Sequence, residues 1–209
     1  MSAKKSEILP KKVLLHSCCA PCSGAIIEKL FAEKIDFAIF FYNPNIHPRA
    51  EYEIRKTEIQ NFARRKKIPF FDADYDPARF FEMARGLENE PERGARCQKC
   101  FFLRLEKAAE FAAKNGFPVL AACLGISRWK NHEHINAAGR AAAEKWGISF
   151  WDRNWRKGGG EMRKIEIAKR EKFYAQQYCG CAFSLRDANA WRQKNGRPPI
   201  KIGADFYGK

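Results

Sequence analysis

Eight cysteines occur in the chain, and seven of them fall in three tight groups: Cys18-Cys19-x-x-Cys22, Cys97-x-x-Cys100 and Cys179-Gly180-Cys181. Thiolates at Cys-x-x-Cys spacing reach one metal centre, because one turn of chain brings both sulfurs to the same side. A structural zinc ion takes four ligands, and so does a [4Fe–4S] cluster. Seven grouped thiols exceed one such centre and fall short of two all-cysteine sites. A [4Fe–4S] cluster, with three thiols left for a second metal ion (iron or zinc), a redox pair or catalysis, therefore ranks ahead of structural zinc, and disulfides rank third. Cys18, Cys19, Cys22, Cys97, Cys100, Cys179 and Cys181 are all candidate ligands. Cys18 and Cys19 are neighbours, which seldom point the same way, so they are expected to serve different centres or roles. Cys22 lies near a helix N-terminus, where the dipole lowers a thiol's pKa. Cys123 stands alone in an apolar run and reads as a small buried hydrophobe.

The remaining chemistry-bearing residues are few. His16 precedes the first cysteine group and His47 follows the second apolar run; either is a candidate proton donor near neutral pH. His132 and His134 are two apart at a helix start and do not share a face, so a capping or supporting role fits them. Gly158-Gly159-Gly160, flanked by Arg156 and Lys157, can bring backbone N–H groups close to a phosphate or can simply be a flexible loop. Arg128, Lys130, Arg153 and Arg163 are candidate phosphate contacts. Trp129, Trp151 and Trp155 are candidate stacking partners for an extruded base, with Trp151 the best suited of the three to the core.

These residues need a scaffold, and the apolar pattern supplies one. Lys12–His16 reads as a buried strand, 17–24 as a loop of small residues and 25–34 as a helix. Asp36–Tyr42 reads as a second strand before the turn-rich Asn43–Pro48. Glu51–Lys67 is a helix, Pro69–Ala73 a strand, and Pro77–Arg85 and Arg96–Asn115 are helices. Val119–Cys123 is a strand, His132–Trp146 a helix and Ile148–Trp151 a strand. From 161 to 193 helices surround the Cys-Gly-Cys break. This alternation predicts an α/β fold: a parallel, Rossmann-like or HUP-like sheet over 12–150, with a basic, mainly helical extension over 151–209 that completes the metal site within a single domain. In such sheets ligands bind beyond the carboxyl ends of the strands, where the cysteine loops are expected to lie.

The formal charge is +15, and from Trp151 to Lys209 there are 14 Lys/Arg against 6 Asp/Glu. Such a field attracts a polyanion, and a nucleic acid is the expected partner. The longest apolar runs fall far short of the ~20 residues a membrane helix needs, and Met1–Lys12 has no apolar core of a signal peptide. A cytoplasmic location is expected.

The elements His16–Gly24 (HSCCAPCSG), Tyr42–Pro48 (YNPNIHP), Arg96–Arg104 (RCQKCFFLR), Lys130–Asn136 (KNHEHIN), Arg156–Gly160 (RKGGG) and Tyr178–Ser184 (YCGCAFS) together resemble the QueH-type epoxyqueuosine reductases. The resemblance runs from about Val13 to Ser184. It implies the last step of queuosine synthesis, in which the epoxide of epoxyqueuosine at the tRNA wobble position is reduced to the alkene without cobalamin. It also implies a [4Fe–4S] cluster beside a second metal held by cysteine and a carboxylate, with electrons from a ferredoxin- or flavodoxin-like donor. Removing the oxygen as water takes two electrons and two protons, and a Lewis acid would stabilise the alkoxide. Asp76, which follows the third strand, is the expected carboxylate; the alternative is a helix N-cap before Pro77. The family usually carries Ser or Thr where this chain has Ala122–Ser127, so Cys123 is not expected to be a ligand. Two rival readings remain. One is a nucleotide-dependent, PP-loop-type tRNA-modifying enzyme, which SCCAPCSG, with a single glycine, does not suit. The other is a non-catalytic zinc-binding RNA module.

Overall fold

The computed structural model describes residues 9–203. Five strands, β1 (Lys12–His16), β2 (Asp36–Phe41), β3 (Phe70–Asp72), β4 (Val119–Ala122) and β5 (Ser149–Phe150), form one sheet in the order β3-β2-β1-β4-β5. All pairs are parallel, with Val13 level with Phe37 on one side and Val119 on the other. The apolar run of β1 is continuous because both faces of the sheet are covered: Val13, Leu14 and Leu15 have no exposure. Among the described residues seven α-helices flank the sheet: α1 (Ala20–Ala32), α2 (Arg49–Arg65), α3 (Pro77–Ala84), α4 (Ala95–Lys114), α5 (His132–Lys145), α6 (Gly160–Arg170) and α7 (Ala182–Lys194). None is long and apolar enough to cross a membrane. The α/β reading therefore holds.

Two boundaries differ from expectation in ways that matter. The small-residue segment after β1 is not a loop to residue 24. The helix starts at Ala20, with Pro21 in its first turn, where a fixed φ suits the helix and no N–H is missed. Gly24 is small because α6 packs on α1: a Cβ there would lie 2.9 Å from Ile167 Cγ2. Cys123 lies just beyond β4, opening a single 3₁₀ turn (Cys123–Ile126).

The order of strands reverses between β1 and β4. Chain connections leave these two carboxyl ends in opposite directions and open a crevice there. The turn after β1 carries Cys18 and the turn after β4 carries Cys123, so the sheet delivers both thiols to the same crevice.

Candidate metal centre and its cavity

Cys19 is the N-cap of α1 with extended backbone (φ −177°), and Cys22 lies in the first turn. The Sγ atoms of Cys18, Cys19 and Cys22 lie within 4.8 Å of one another, all buried. Cys18 and Cys19 Sγ are 3.6 Å apart. The expectation that these neighbours point apart does not hold: the extended cap lays the second side chain beside the first. Nor is Cys123 alone. Its thiol donates to Cys18 Sγ at 3.4 Å, and its sulfur accepts the Cys18 N–H at 3.2 Å. Thiol donors, Cys123 first, hold the Cys18 pKa well below the usual thiol range. The protons stay on its neighbours: hydrogen bonding to Cys18 and burial push Cys22 up to about 11, and burial pushes Cys19 and Cys123 up. No disulfide is formed. A soft metal ion would replace these shared protons with a charge that all three sulfurs satisfy.

The other four grouped cysteines come together more loosely: Cys97 and Cys100 feel the charges of Cys179 and Cys181, but among the described residues only Cys18, Cys19 and Cys22 bring three ligand atoms within 4.8 Å of one another. Cys97 and Cys100 occupy the first turns of α4, and Cys181 caps α7, accepting the Ser184 N–H at 3.3 Å. Cys100 and Cys181 share one apolar cluster with Phe80 and Ala84. Burial pushes Cys100 up to about 12, and the facing Cys181, Cys179 and Cys97 push it the same way. The Cys179-Gly180-Cys181 loop is pinned from below. Arg55, 2% exposed, donates to the Cys179 carbonyl (3.0 Å) and the Tyr178 carbonyl (3.3 Å). Its charge is met by Glu51, which also accepts from Tyr174 Oη at 2.8 Å. His47 N–H donates to the Gly180 carbonyl (2.7 Å), and Tyr178 Oη returns a bond to the His47 carbonyl (2.6 Å).

Cations surround both sets. Arg96 and Arg104 are 1% and 2% exposed, and neither has a carboxylate partner among the described residues. For Lys130 burial lowers the pKa, but Cys179, Cys18 and Cys22 outweigh it and hold the ammonium above its usual value. Lys130, Cys22 and Cys179 line one cavity of about 1350 Å³, with Trp129, Trp191 and Lys164 also on its wall. One thiol of each group, Cys22 and Cys179, thus faces the same space.

Comparison with known proteins gives the arrangement a family. The model of the family described as epoxyqueuosine reductase QueH matches residues 13–187. The chain belongs to the QueH family. It is 60% identical over 197 residues to the epoxyqueuosine reductase QueH of Histophilus somni, spanning 94% of this chain and 81% of that one. The Haemophilus influenzae QueH is 59% identical, with 94% and 80% covered. The QueH of Thermotoga maritima is 33% identical over 194 residues, with 91% and 97% covered. In fold, the chain is similar to a protein of Methanocaldococcus jannaschii described as a predicted subunit of tRNA methyltransferase (TM-score 0.55, 13% identity, 94% and 95% covered). The matched stretch holds all eight cysteines, Cys123 included.

Several residues expected at the QueH site have other work. Asp76 is exposed, caps α3 by accepting the Arg79 N–H at 3.3 Å, and borders a separate surface hollow with no cysteine on its wall. It is not among the thiols because β3 is the edge strand, on the far side of β2 from β1. Cys22 instead completes the trio. His16 is fully buried and donates Nε2–H to the Tyr42 carbonyl at 3.1 Å; burial, aided by Arg104, drives its pKa down to about 3, so the ring is neutral and carries no second proton to give up as an acid. His47 packs its ring edge-on to Phe81 and uses its main chain to hold the Cys179 loop. His132 contacts Asn136 at 3.2 Å, while Asn131, not His132, caps α5. Arg153 makes a two-bond pair with Glu33 (2.6 and 2.9 Å), and Arg156 ties down the carbonyls of Gly125, Ser127 and Lys130. Arg163 pairs with Glu28 and Glu166. Gly158 and Gly159 adopt positive φ before α6, and a Cβ on Gly160 would lie 1.9 Å from the Trp155 carbonyl oxygen, so the glycines answer to the turn itself. Trp155 is buried and meets Trp151 edge to face, which removes both from base stacking. Lys157, Arg128 and Trp129 remain exposed, with Arg128 lying over the Trp129 ring at 5.0 Å. Sequence reading missed Cys123, Arg104 and Trp191. Only Arg104 carried a signal, standing one helical turn after Cys100 on the same face.

Proposed function

We propose that this chain is an epoxyqueuosine reductase, an oxidoreductase that converts epoxyqueuosine in tRNA to queuosine, and that its two thiol sets hold separate centres. Cys97, Cys100, Cys179 and Cys181 would hold a [4Fe–4S] cluster, and Cys18, Cys19 and Cys22 a second metal ion, iron or zinc. The observation that carries this reading is a buried trio of thiols, Cys18, Cys19 and Cys22, beside one cavity whose wall includes both Cys22 and Cys179. The donor types fit: five of the seven sulfurs are buried, no disulfide forms, and the buried Arg96 and Arg104, which have no carboxylate partner among the described residues, can face an anionic metal–thiolate unit. When bound, the two centres would supply single electrons and Lewis acidity beside the substrate.

The protein residues handle the rest. Epoxide, two electrons and two protons give alkene and water. Lys130, on the cavity wall, keeps its ammonium proton within the site, whereas the single N–H of neutral His16 is directed at the Tyr42 carbonyl. Exposed Trp129 and Trp191 on the cavity rim (65% and 55%) offer ring faces to unpaired bases of the anticodon loop. Lys164 and Lys157, with Arg128, supply a basic margin for phosphates. The reductant is a ferredoxin- or flavodoxin-like protein, and the eight free thiols suit a reducing cytoplasm.

The test is anaerobic purification with iron and acid-labile sulfide analysis and a visible spectrum. A brown protein with about four sulfides per chain and additional metal is expected. A colourless zinc protein without sulfide, even after anaerobic reconstitution, would leave an RNA-binding zinc module as the better account.

A further inference from the structure

A buried guanidinium with no anion to face is costly, because charge taken out of water must be compensated where it sits. Arg104 is such a group. It is 2% exposed, and its Nε has no hydrogen-bond partner among the described residues. The bond it does make joins the two thiol sets. Arg104 lies one turn after Cys100 on α4, and its Nη2 donates to Asn43 Oδ1. Asn43 Nδ2 in turn donates to the Ser17 carbonyl at 2.9 Å, in the peptide that leads into Cys18. One buried relay thus runs from the Cys97/Cys100 helix to the Cys18/Cys19/Cys22 turn. Burial would lower the Arg104 pKa, but Cys100, Cys18, Cys123 and Cys179, drawn from both sides, outweigh it. Glu51, a buried carboxylate, is already paired with Arg55.

We propose that Arg104 is the shared counter-ion of the two metal centres, a positioning residue that joins them through Asn43 and holds the cluster's reduction potential up. This rests on the assignment of a cluster and a second metal made above. Thiolate-bound centres are anionic, and reduction adds a further negative charge. A fixed cation in a low-dielectric setting favours that charge, and its removal disfavours it. Electrons would then reach the epoxide from a site whose driving force Arg104 sets without touching substrate.

The experiment is a redox titration of the anaerobically loaded protein, followed by electron paramagnetic resonance, for wild type, Arg104→Lys, Arg104→Gln and Asn43→Asp. Arg140→Gln, which removes an exposed arginine paired with Asp152, is the control. Arg104→Gln is expected to lower the cluster's midpoint at least tenfold in the reduction equilibrium, about 59 mV for one electron. Asn43→Asp, which gives Arg104 a carboxylate of its own, should shift it in the same direction. Arg104→Lys should stay nearer wild type, and Arg140→Gln should not move. If Arg104→Gln does not retain a cluster, Asn43→Asp against Arg104→Lys decides the matter. Loaded variants with the wild-type potential overturn the role of Arg104 and leave the reductase reading standing. A wild-type chain that never binds sulfide overturns both.

Discussion

Removing Arg55 should unfold this protein more readily and lower its retention of the proposed cluster, and the two effects should separate. The guanidinium is buried with Glu51, with Nη2 2.7 Å and Nε 2.8 Å from Oε1. Arg55→Gln leaves Glu51 as an uncompensated buried carboxylate, which costs about 3–5 kcal/mol. That is a large part of the roughly 5–15 kcal/mol that holds a domain folded. It corresponds to a fall of some 6–20 °C in Tm at about 2–4 °C per kcal/mol for a chain of this size. Glu51→Gln alone strands Arg55 and should cost a similar amount. The double variant removes both charges, so its cost should fall short of the sum by about 2 kcal/mol or more. The carbonyls of Cys179 and Tyr178 lose their charged donor in Arg55→Gln and in the double variant, but not in Glu51→Gln. Sulfide content should therefore stay low in the double variant although stability partly returns. Urea denaturation of the reduced, metal-free protein measures the coupling without contributions from metal binding. A coupling energy near zero, or a doubly substituted protein with full sulfide content, would refute the reasoning.

Other outcomes follow from the same contacts. His16 titrates near 3 when folded and near 6.5 when free, so between these values the unfolded chain takes up a proton that the folded chain refuses. Stability is full above about pH 6.5 and declines by up to about 5 kcal/mol as pH falls towards 3; His16→Gln should flatten this slope in acid denaturation curves. Gly180→Ala places a Cβ 2.9 Å from Arg55 Nη1 at φ 129°, and should cost about 1–3 kcal/mol together with cluster retention, read by thermal melts and the visible spectrum. Asp76→Ala should lose only a helix cap, about 1 kcal/mol, and keep its metal content by elemental analysis. Anticodon stem-loop binding should weaken steeply between low and high salt and weaken further in Trp191→Ala; binding insensitive to both would remove RNA from the cavity rim.

What the sequence determined by itself is considerable. Strand–helix alternation, the apolar runs of β1 and β2 and the charged amphipathic α2 and α4 specify a parallel sheet covered on both faces, because period and burial are local properties of the chain. Three cysteine spacings point towards metal chemistry for the same reason: ligands within one turn meet whatever the rest of the fold does. Tertiary structure decided everything that depends on residues distant in sequence. Asp76 looked placed for the site only because it follows a strand; the strand order puts β3 at the edge. Cys123 looked alone because its partner, Cys18, is 105 positions away, and only the reversal between β1 and β4 brings them to 3.4 Å. The arginines of the basic extension looked free for phosphate, yet Arg163 finds Glu28 on α1 and Arg153 finds Glu33 at its C-terminal end, while Arg156 binds main-chain carbonyls. Charge counts are fixed by composition, but which charges are spent inside the molecule is fixed by which surfaces fold onto one another. Arg104 is the clearest case: helical spacing sets it beside Cys100, and only the sheet sets Asn43 and Cys18 on its other side.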